Sequence, residues 1–419
     1  MVPRKLSGEV PRPLTYKQAL AWLYGLQRFG IKLGLENIQR LIAELHLDLG
    51  RARIFHVAGT NGKGSVCAMI DAILRAQKYR TGLFTSPHLV TFRERIRVNG
   101  EMISEDAVAN GLTTIRDLVR DWDPHPTFFE ITTALALKHF SNAKIEIVIL
   151  ETGLGGRLDA TNAVQSDVSV ITPIDLDHQK WLGQSLREIA YEKAGIIKPK
   201  MPVLSAPQPP DVEKVIRARA TECEASLQFV NDSYQKTPIG LSGEHQKQNA
   251  ALAIAAIRAA KIDIGDCSIA RGLATVDWPA RFQRWDERTI IDGAHNPAAA
   301  RVLAQSWRET FGDQRASLIL AILSDKDLRG ICEALAPITV SVLLPNIRTE
   351  RATPPGELAN VLSAITPSLP YSITDSIADA LALAHARPNP ILLTGSLHFA
   401  GEVLAHLRGE PAAFEECAQ

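Results

Sequence analysis

Apolar residues along the chain fall in short, nearly continuous runs, separated by longer stretches of helical period. The runs Ile145–Leu150, Val168–Ile171, Ser317–Leu323, Val340–Leu344 and Ile391–Thr394 predict parallel strands covered on both faces. Between them, Glu130–Phe140, Gln248–Ala260, Ala298–Phe311 and Ile377–Ala386 carry their apolar residues on one side and predict helices. Shorter elements are predicted at Thr81–Thr85 and Arg95–Met102, the latter a hairpin around Asn99-Gly100. Strand–helix alternation of this kind predicts doubly wound α/β domains.

A boundary is predicted near Trp278-Pro279-Ala280-Arg281-Phe282. It divides the chain into residues 1–279, a hinge over 280–287, and a smaller α/β unit over 288–419. Composition adds little: 46% hydrophobic and 22% charged is that of a globular protein. The 46 basic and 46 acidic side chains cancel, which argues against a general nucleic-acid surface. No apolar run reaches the length of a membrane span, and Met1–Pro13 lacks the apolar core of a signal peptide. The 5 cysteines are scattered, none in a C-x-x-C pair, as expected of reduced thiols in a cytoplasmic protein.

The candidate chemistry lies where predicted strands end. Ile54–Ala58 runs into Gly59-Thr60-Asn61-Gly62-Lys63-Gly64-Ser65 and then a helix-like segment, Val66–Gln77. Such a turn points backbone N–H groups at an anion; Lys63 adds a charge for phosphates and Ser65 a hydroxyl suited to Mg²⁺. The generic phosphate loop, G-x-x-x-x-G-K-[ST], is not matched: Val57 replaces its first glycine, and Gly64 separates Lys63 from the serine. Glu151 closes the strand Ile145–Leu150 and opens Glu151–Asn162, where it is placed to reach a metal at the loop. Asp175-Leu176-Asp177-His178 follows another strand, although a histidine ligand on Mg²⁺ is unusual. Lys193 falls late in a helix over Leu186–Ala194, where spacing alone predicts an exposed lysine near the helix C-terminus. Thr85-Ser86-Pro87-His88-Leu89 and Asp292-Gly293-Ala294-His295-Asn296-Pro297 complete the set, each just past a strand.

Together these stretches, with Glu94–Val98, Glu192–Ile197 and Pro279–Phe282, resemble the folylpolyglutamate synthase/dihydrofolate synthase family of the Mur-ligase superfamily, in the family's order over nearly the whole chain. The resemblance accounts for Gly64-Ser65, since Gly-Thr-Asn-Gly-Lys-Gly-Ser/Thr is the superfamily's own phosphate loop. It implies a Mur-ligase-like ATPase domain followed by a Rossmann-like domain. It also implies ATP held by Thr60, Asn61, Gly62, Lys63, Gly64 and Ser65, with Asn249, Arg281 and Asp292. Two Mg²⁺ sites are implied, one on Ser65 and Glu151, the other on Ser86, Glu151 and His178. Lys193 matches a lysine carried as a carbamate, and His295 a phosphate-side or glutamate-side residue. Lys32, Leu33, Gly34, Thr127, Phe128, Phe129, Glu130, Leu158, Asp159 and Ala160 match the pteridine-side pocket.

The implied reaction transfers the ATP γ-phosphoryl group to a carboxylate and lets the amino group of L-glutamate displace phosphate. The implied substrates are 7,8-dihydropteroate and tetrahydrofolate or folylpolyglutamates. Both activities, a monomer, and Arg281 arriving on hinge closure are expected. A folylpolyglutamate synthase alone, a Mur-type peptide ligase of cell-wall synthesis, and a slowly hydrolysing ATP switch are the alternatives.

Overall fold

A computed structural model describes residues 13–29 and 34–415. Two sheets carry the chain. The first contains β1 Arg53–Ala58, β2 Thr81–Phe84, β3 Ile96–Val98, β4 Glu101–Met102, β5 Ile147–Glu151, β6 Val168–Ile171, β7 Val203–Ser205 and β8 Leu227–Phe229. Their order is β4-β3-β2-β5-β1-β6-β7-β8, and only β3 runs against the others, pairing antiparallel with both β2 and β4. Those two form the hairpin predicted at Asn99-Gly100, whose φ angles are 54° and 85°.

Alternation along β5 shows why the sheet is covered twice. Ile147 and Ile149 pack into one core with the helices Lys63–Ala76 and Glu244–Ala259. Val148 and Leu150 pack into the other, with Tyr16–Gly25, Glu105–Val119 and Phe128–Ala143. Successive side chains of a strand point to opposite faces, so a continuous apolar run needs two cores.

The second sheet contains β9 Gln283–Arg284, β10 Thr289–Ile291, β11 Ala316–Leu320, β12 Thr339–Pro345, β13 Tyr371–Thr374 and β14 Ile391–Thr394, in the order β13-β12-β11-β14-β10-β9. It too is covered on both faces: Leu318 and Leu392 enter one core, Ile319 and Leu393 the other. Residues 283–284, read from sequence as part of a hinge, instead pair antiparallel with β10, Ile290 opposite Arg284 and Ile291 opposite Gln283. The free edge of β10 recruits them into its hydrogen-bond ladder.

The sheets are joined by more than the connecting segment. Leu89 and Val90, which follow β2, are buried in the core of the second sheet. The backbone of Leu89 runs so close to Gly401 that a Cβ there would meet the Leu89 carbonyl oxygen at 1.9 Å. The end of the chain returns the contact: the Glu415 carboxylate accepts from Tyr16 Oη (3.0 Å), Thr91 Oγ1 (3.2 Å) and Phe92 N (2.5 Å). Among the described residues, no helix is long and apolar enough to cross a membrane.

Candidate active site

Strand register brings distant motifs to one edge. In the first sheet, Val57 of β1 lies opposite Glu151 of β5, and Ala58 opposite Ile171 of β6. Chain direction across the sheet diverges at β1, and ligands bind outside the carboxyl ends of strands at such a point. The loop Gly59–Ser65, Glu151 and the segment through His178 therefore start side by side.

The phosphate loop is shaped by its glycines. Gly62 caps the helix Lys63–Ala76 with φ 89°, a conformation that favours a residue without Cβ. The first intrahelical bond runs from Val66 N to Gly62 O, so the amides of Lys63, Gly64 and Ser65 precede it. Lys63 Nζ donates to Gly59 O (3.1 Å) and Thr60 O (3.2 Å). Thr60 and Asn61 donate their backbone N–H groups to Pro173 O, which ties the loop to the segment after β6. Gly64, the departure from the generic pattern, has a packing cause: a Cβ there would stand 2.7 Å from Trp278 Nε1.

The donor set for a divalent cation is present in part as a buried, unpaired group. Glu151 is 5% exposed, and its Oε2 accepts from Ser86 N at 3.1 Å. Burial pushes its carboxyl up, against the pull of Lys63 and the Ser86 amide. Ser86 Oγ is buried and has no hydrogen-bond partner among the described residues. An orphaned hydroxyl beside a carboxylate fits a hard cation that takes oxygen ligands. Among the described residues, no three His, Cys, Asp or Glu side chains cluster as a metal site. A site on Ser65, Ser86, Glu151 and His178 relies on hydroxyls instead. His178 stands at φ 50°, and burial holds its imidazole down to about 4, so it is neutral and able to ligate.

Lys193 corrects the reading from spacing: it is buried, 4% exposed, and its Nζ donates to Gly59 O at 2.7 Å. The helix Leu186–Ala194 turns this face inward against the phosphate loop. Burial and the neighbouring Lys63 charge bring its amine down to about 7.

The second sheet supplies the opposite wall. Asn296 caps the helix Pro297–Phe311 through Ala299 N and exchanges hydrogen bonds with the Asn61 side chain (3.2 and 3.0 Å). Arg281 is half-buried and lines the cavity between the two sheets. His295 Nδ1 bonds Gly293 O at 2.8 Å, and its Nε2 lies 3.6 Å from Asp177 Oδ2.

Every residue predicted for nucleotide, metal or catalysis lines one cavity of about 460 Å³ between the sheets. The pteridine-side set does not. Thr127 caps the helix Phe128–Ala143, with Glu130 Oε2 accepting from its N and Oγ1. Phe128 stacks on Tyr24 and Ala160 is in the core behind β5. Phe129 lies over Gly153, where a Cβ would meet its ring at 2.5 Å. Asp159 is held in its loop: its oxygens accept from the amides of Gly153, Leu154 and Thr161 and from Thr161 Oγ1. Leu158 is half-buried and Gly34 stands at the start of the helix Glu36–Glu44. Lys32 and Leu33 lie outside the described residues.

Sequence reasoning passed over four groups. Asp177, next to His178, shares its motif but carries no signal of its own. His245 and Gln246 open the helix Glu244–Ala259 in a polar run, Glu244–Asn249, whose later turns are apolar; that contrast was the available signal. Gln246 joins Asn249 Nδ2 (2.9 Å) to Ser65 Oγ (3.4 Å). Lys326 carries no local signal at all.

A nucleotide-phosphate loop facing a second α/β unit across a shared cavity points to the Mur ligase class. The Mur ligase middle domain matches residues 57–206, and the Mur ligase glutamate ligase domain matches 280–397. The chain is 34% identical to the dihydrofolate synthase/folylpolyglutamate synthase of Bacillus subtilis over 94% of its own length and 99% of that protein's. It superimposes on the Escherichia coli FolC structure in complex with DHPP and ADP with a TM-score of 0.83 at 32% identity, covering 96% of this chain and 99% of that one. The Yersinia pestis bifunctional enzyme complexed with AMPPNP and Mn ion gives 0.85 at 32% identity, covering 96% and 100%. The chain belongs to the dihydrofolate synthase/folylpolyglutamate synthase family.

Proposed function

We propose that this protein is an ATP-dependent ligase that joins L-glutamate to dihydropteroate and to reduced folates. The observation that carries the reading is the convergence of the phosphate loop, Glu151, Arg281 and His295 on one cavity, within chain-long similarity to enzymes of that name. Residues 1–279 supply the nucleotide half and 288–419 the half that takes glutamate, joined through 280–287. The cavity is lined by groups of one chain, which supports a monomer as the working unit.

A carboxylate is a poor electrophile until its oxygen is phosphorylated. The amides of Gly62 to Ser65 and the Lys63 ammonium cradle the ATP phosphates, with Asn249 beside the loop and Arg281 reaching in from the segment that leads to the second sheet. Ser65, Ser86, Glu151 and His178 would hold divalent cations, which would supply charge neutralisation at the transferred phosphoryl group. The chain's own task is to hold both carboxyl and phosphate in line and to exclude water from the acyl phosphate. The α-amino group of glutamate then attacks the acyl carbon, the amide C–N bond forms, and phosphate leaves. Lys193 fits the carbamate role because its amine is neutral in good part near pH 7: the nitrogen lone pair adds to CO₂ and a proton is released.

ADP release is measured with glutamate plus either 7,8-dihydropteroate or tetrahydrofolate. Turnover with both is the expected outcome. Turnover with tetrahydrofolate alone gives a folylpolyglutamate synthase, and turnover with neither rejects the reading. Both substrates are needed because relatives named for a single activity, the dihydrofolate synthetase of Saccharomyces cerevisiae and the folylpolyglutamate synthase of Lacticaseibacillus casei, are each 31% identical to this chain.

A further inference from the structure

His56 is a polar residue on the apolar face of β1. It lies opposite Leu150 of β5, as Ile54 lies opposite Val148, so it faces the core that holds Ile54, Val148 and Leu150. The helix of the phosphate loop covers the other face of the sheet. The His56 ring is fully buried, and its Nδ1 has no hydrogen-bond partner among the described residues. An apolar side chain would fill such a position without stranding a ring nitrogen.

What the histidine adds is a bond at Nε2, 2.8 Å from Thr161 Oγ1. Thr161 gives its single hydroxyl proton to Asp159 Oδ1, so it accepts from His56, and the His56 ring carries its proton on Nε2. Asp159 Oδ2 in turn accepts from the amides of Gly153 (2.9 Å) and Leu154 (2.8 Å). Gly153 and Leu154 line the cavity, and Gly153 rests against the Phe129 ring. A chain of hydrogen bonds thus runs from β1 to the cavity wall that follows β5, on the face away from the phosphate-loop helix.

We infer that His56 is a positioning residue for the pteroate substrate: through Thr161 and Asp159 it fixes the Gly153–Leu154 wall against which that substrate is held. The inference rests on the reading of dihydropteroate as a substrate.

Steady-state kinetics of the full chain, with dihydropteroate and ATP varied in turn, test it on His56→Leu, His56→Gln and Thr161→Val. His56→Leu and Thr161→Val each raise KM for dihydropteroate about 10-fold, the worth of one buried hydrogen bond, and leave KM for ATP within about 2-fold. His56→Gln keeps an amide N–H where the ring Nε2 stood, and its KM stays within about 3-fold of the unaltered chain. The double variant of His56→Leu and Thr161→Val exceeds either single change by no more than about 3-fold, because both break one chain of bonds. A rise in both KM values together, a His56→Gln enzyme as impaired as His56→Leu, or an unchanged KM for dihydropteroate in folded His56→Leu overturns the inference. Hydrogen exchange at the Gly153 and Leu154 amides gives a readout that needs no substrate. Faster exchange in His56→Leu and Thr161→Val, but not in His56→Gln, is expected; equal rates in every chain overturn the hydrogen-bonded link. An unaltered chain without dihydropteroate turnover fails the substrate reading, and the inference with it, whereas the exchange rates still decide the link.

Discussion

Lys326 Nζ lies 2.8 Å from Asp177 Oδ1, with both side chains 8% exposed. The carboxylate comes from the segment after β6 in the first sheet and the ammonium from the segment after β11 in the second. Burial works against the Asp177 charge, yet His295, His178 and Lys326 together hold its carboxyl well below the usual range. Asn296 Nδ2 adds a fourth contact at 3.3 Å. One carboxylate therefore fastens the two halves beside the cavity.

Asp177→Asn leaves the Lys326 ammonium enclosed without its partner. Breaking a buried pair from one side costs about 3 kcal/mol or more. Urea unfolding is expected to show a loss of that order. Adding Lys326→Met should restore part of it, and a double variant as unstable as the sum of the singles would show that the pair is not coupled.

Gly64→Ala places a methyl group 2.7 Å from Trp278 Nε1. The helix start cannot shift without moving the amides of the phosphate loop. ADP affinity measured by calorimetry should fall about 10-fold or more, on the order of 1.4 kcal/mol. Trp278→Phe removes the indole nitrogen and should return part of the affinity; unchanged affinity in Gly64→Ala alone would show that the contact is slack.

Lys193→Ala removes the buried amine against Gly59 O. If a carbamate supports the metal, activity drops by about 10- to 100-fold, as for other groups that orient metal ligands. Small carboxylic acids added to the variant should then raise the rate. Full activity of Lys193→Ala without added acid rejects the carbamate.

Acid should loosen the fold below the ordinary histidine range. Burial holds His56 down to about 3, and His178 and His245 down to about 4. Between pH 6.5 and 4 the unfolded chain takes up these protons and the folded chain does not, so stability rises with pH across that window and falls on acidification. Thermal unfolding should show Tm dropping from pH 6.5 to 4. His245→Gln should give a shallower slope, and an unaltered slope would remove His245 from the account.

The strands β1, β5, β6, β12 and β14 were legible because parallel strands buried on both faces read as apolar runs. The helix behind the phosphate loop was legible from its glycines. The motifs that follow β1, β2, β5, β6 and β10 were legible because a strand's carboxyl end is a local feature of the chain. The exposure of Lys193 was misread, since helical spacing gives a face but not what lies against it. The Gln283–Arg284 strand was missed because an edge strand of two residues has no period to detect.

By itself, the sequence determined the apolar strands β1, β5, β6, β11, β12 and β14 and picked out the motifs proposed for phosphate and metal, because those depend on neighbours a few positions away. Only the tertiary structure decided that Val57 faces Glu151, that Trp278 rests on Gly64, that Asp159 bonds the amide of Gly153, and that Lys326 reaches Asp177. Those pairings join residues far apart in the chain. They are set by strand order, register and the packing of one sheet unit against the other, which leave no periodic mark on the residues they join.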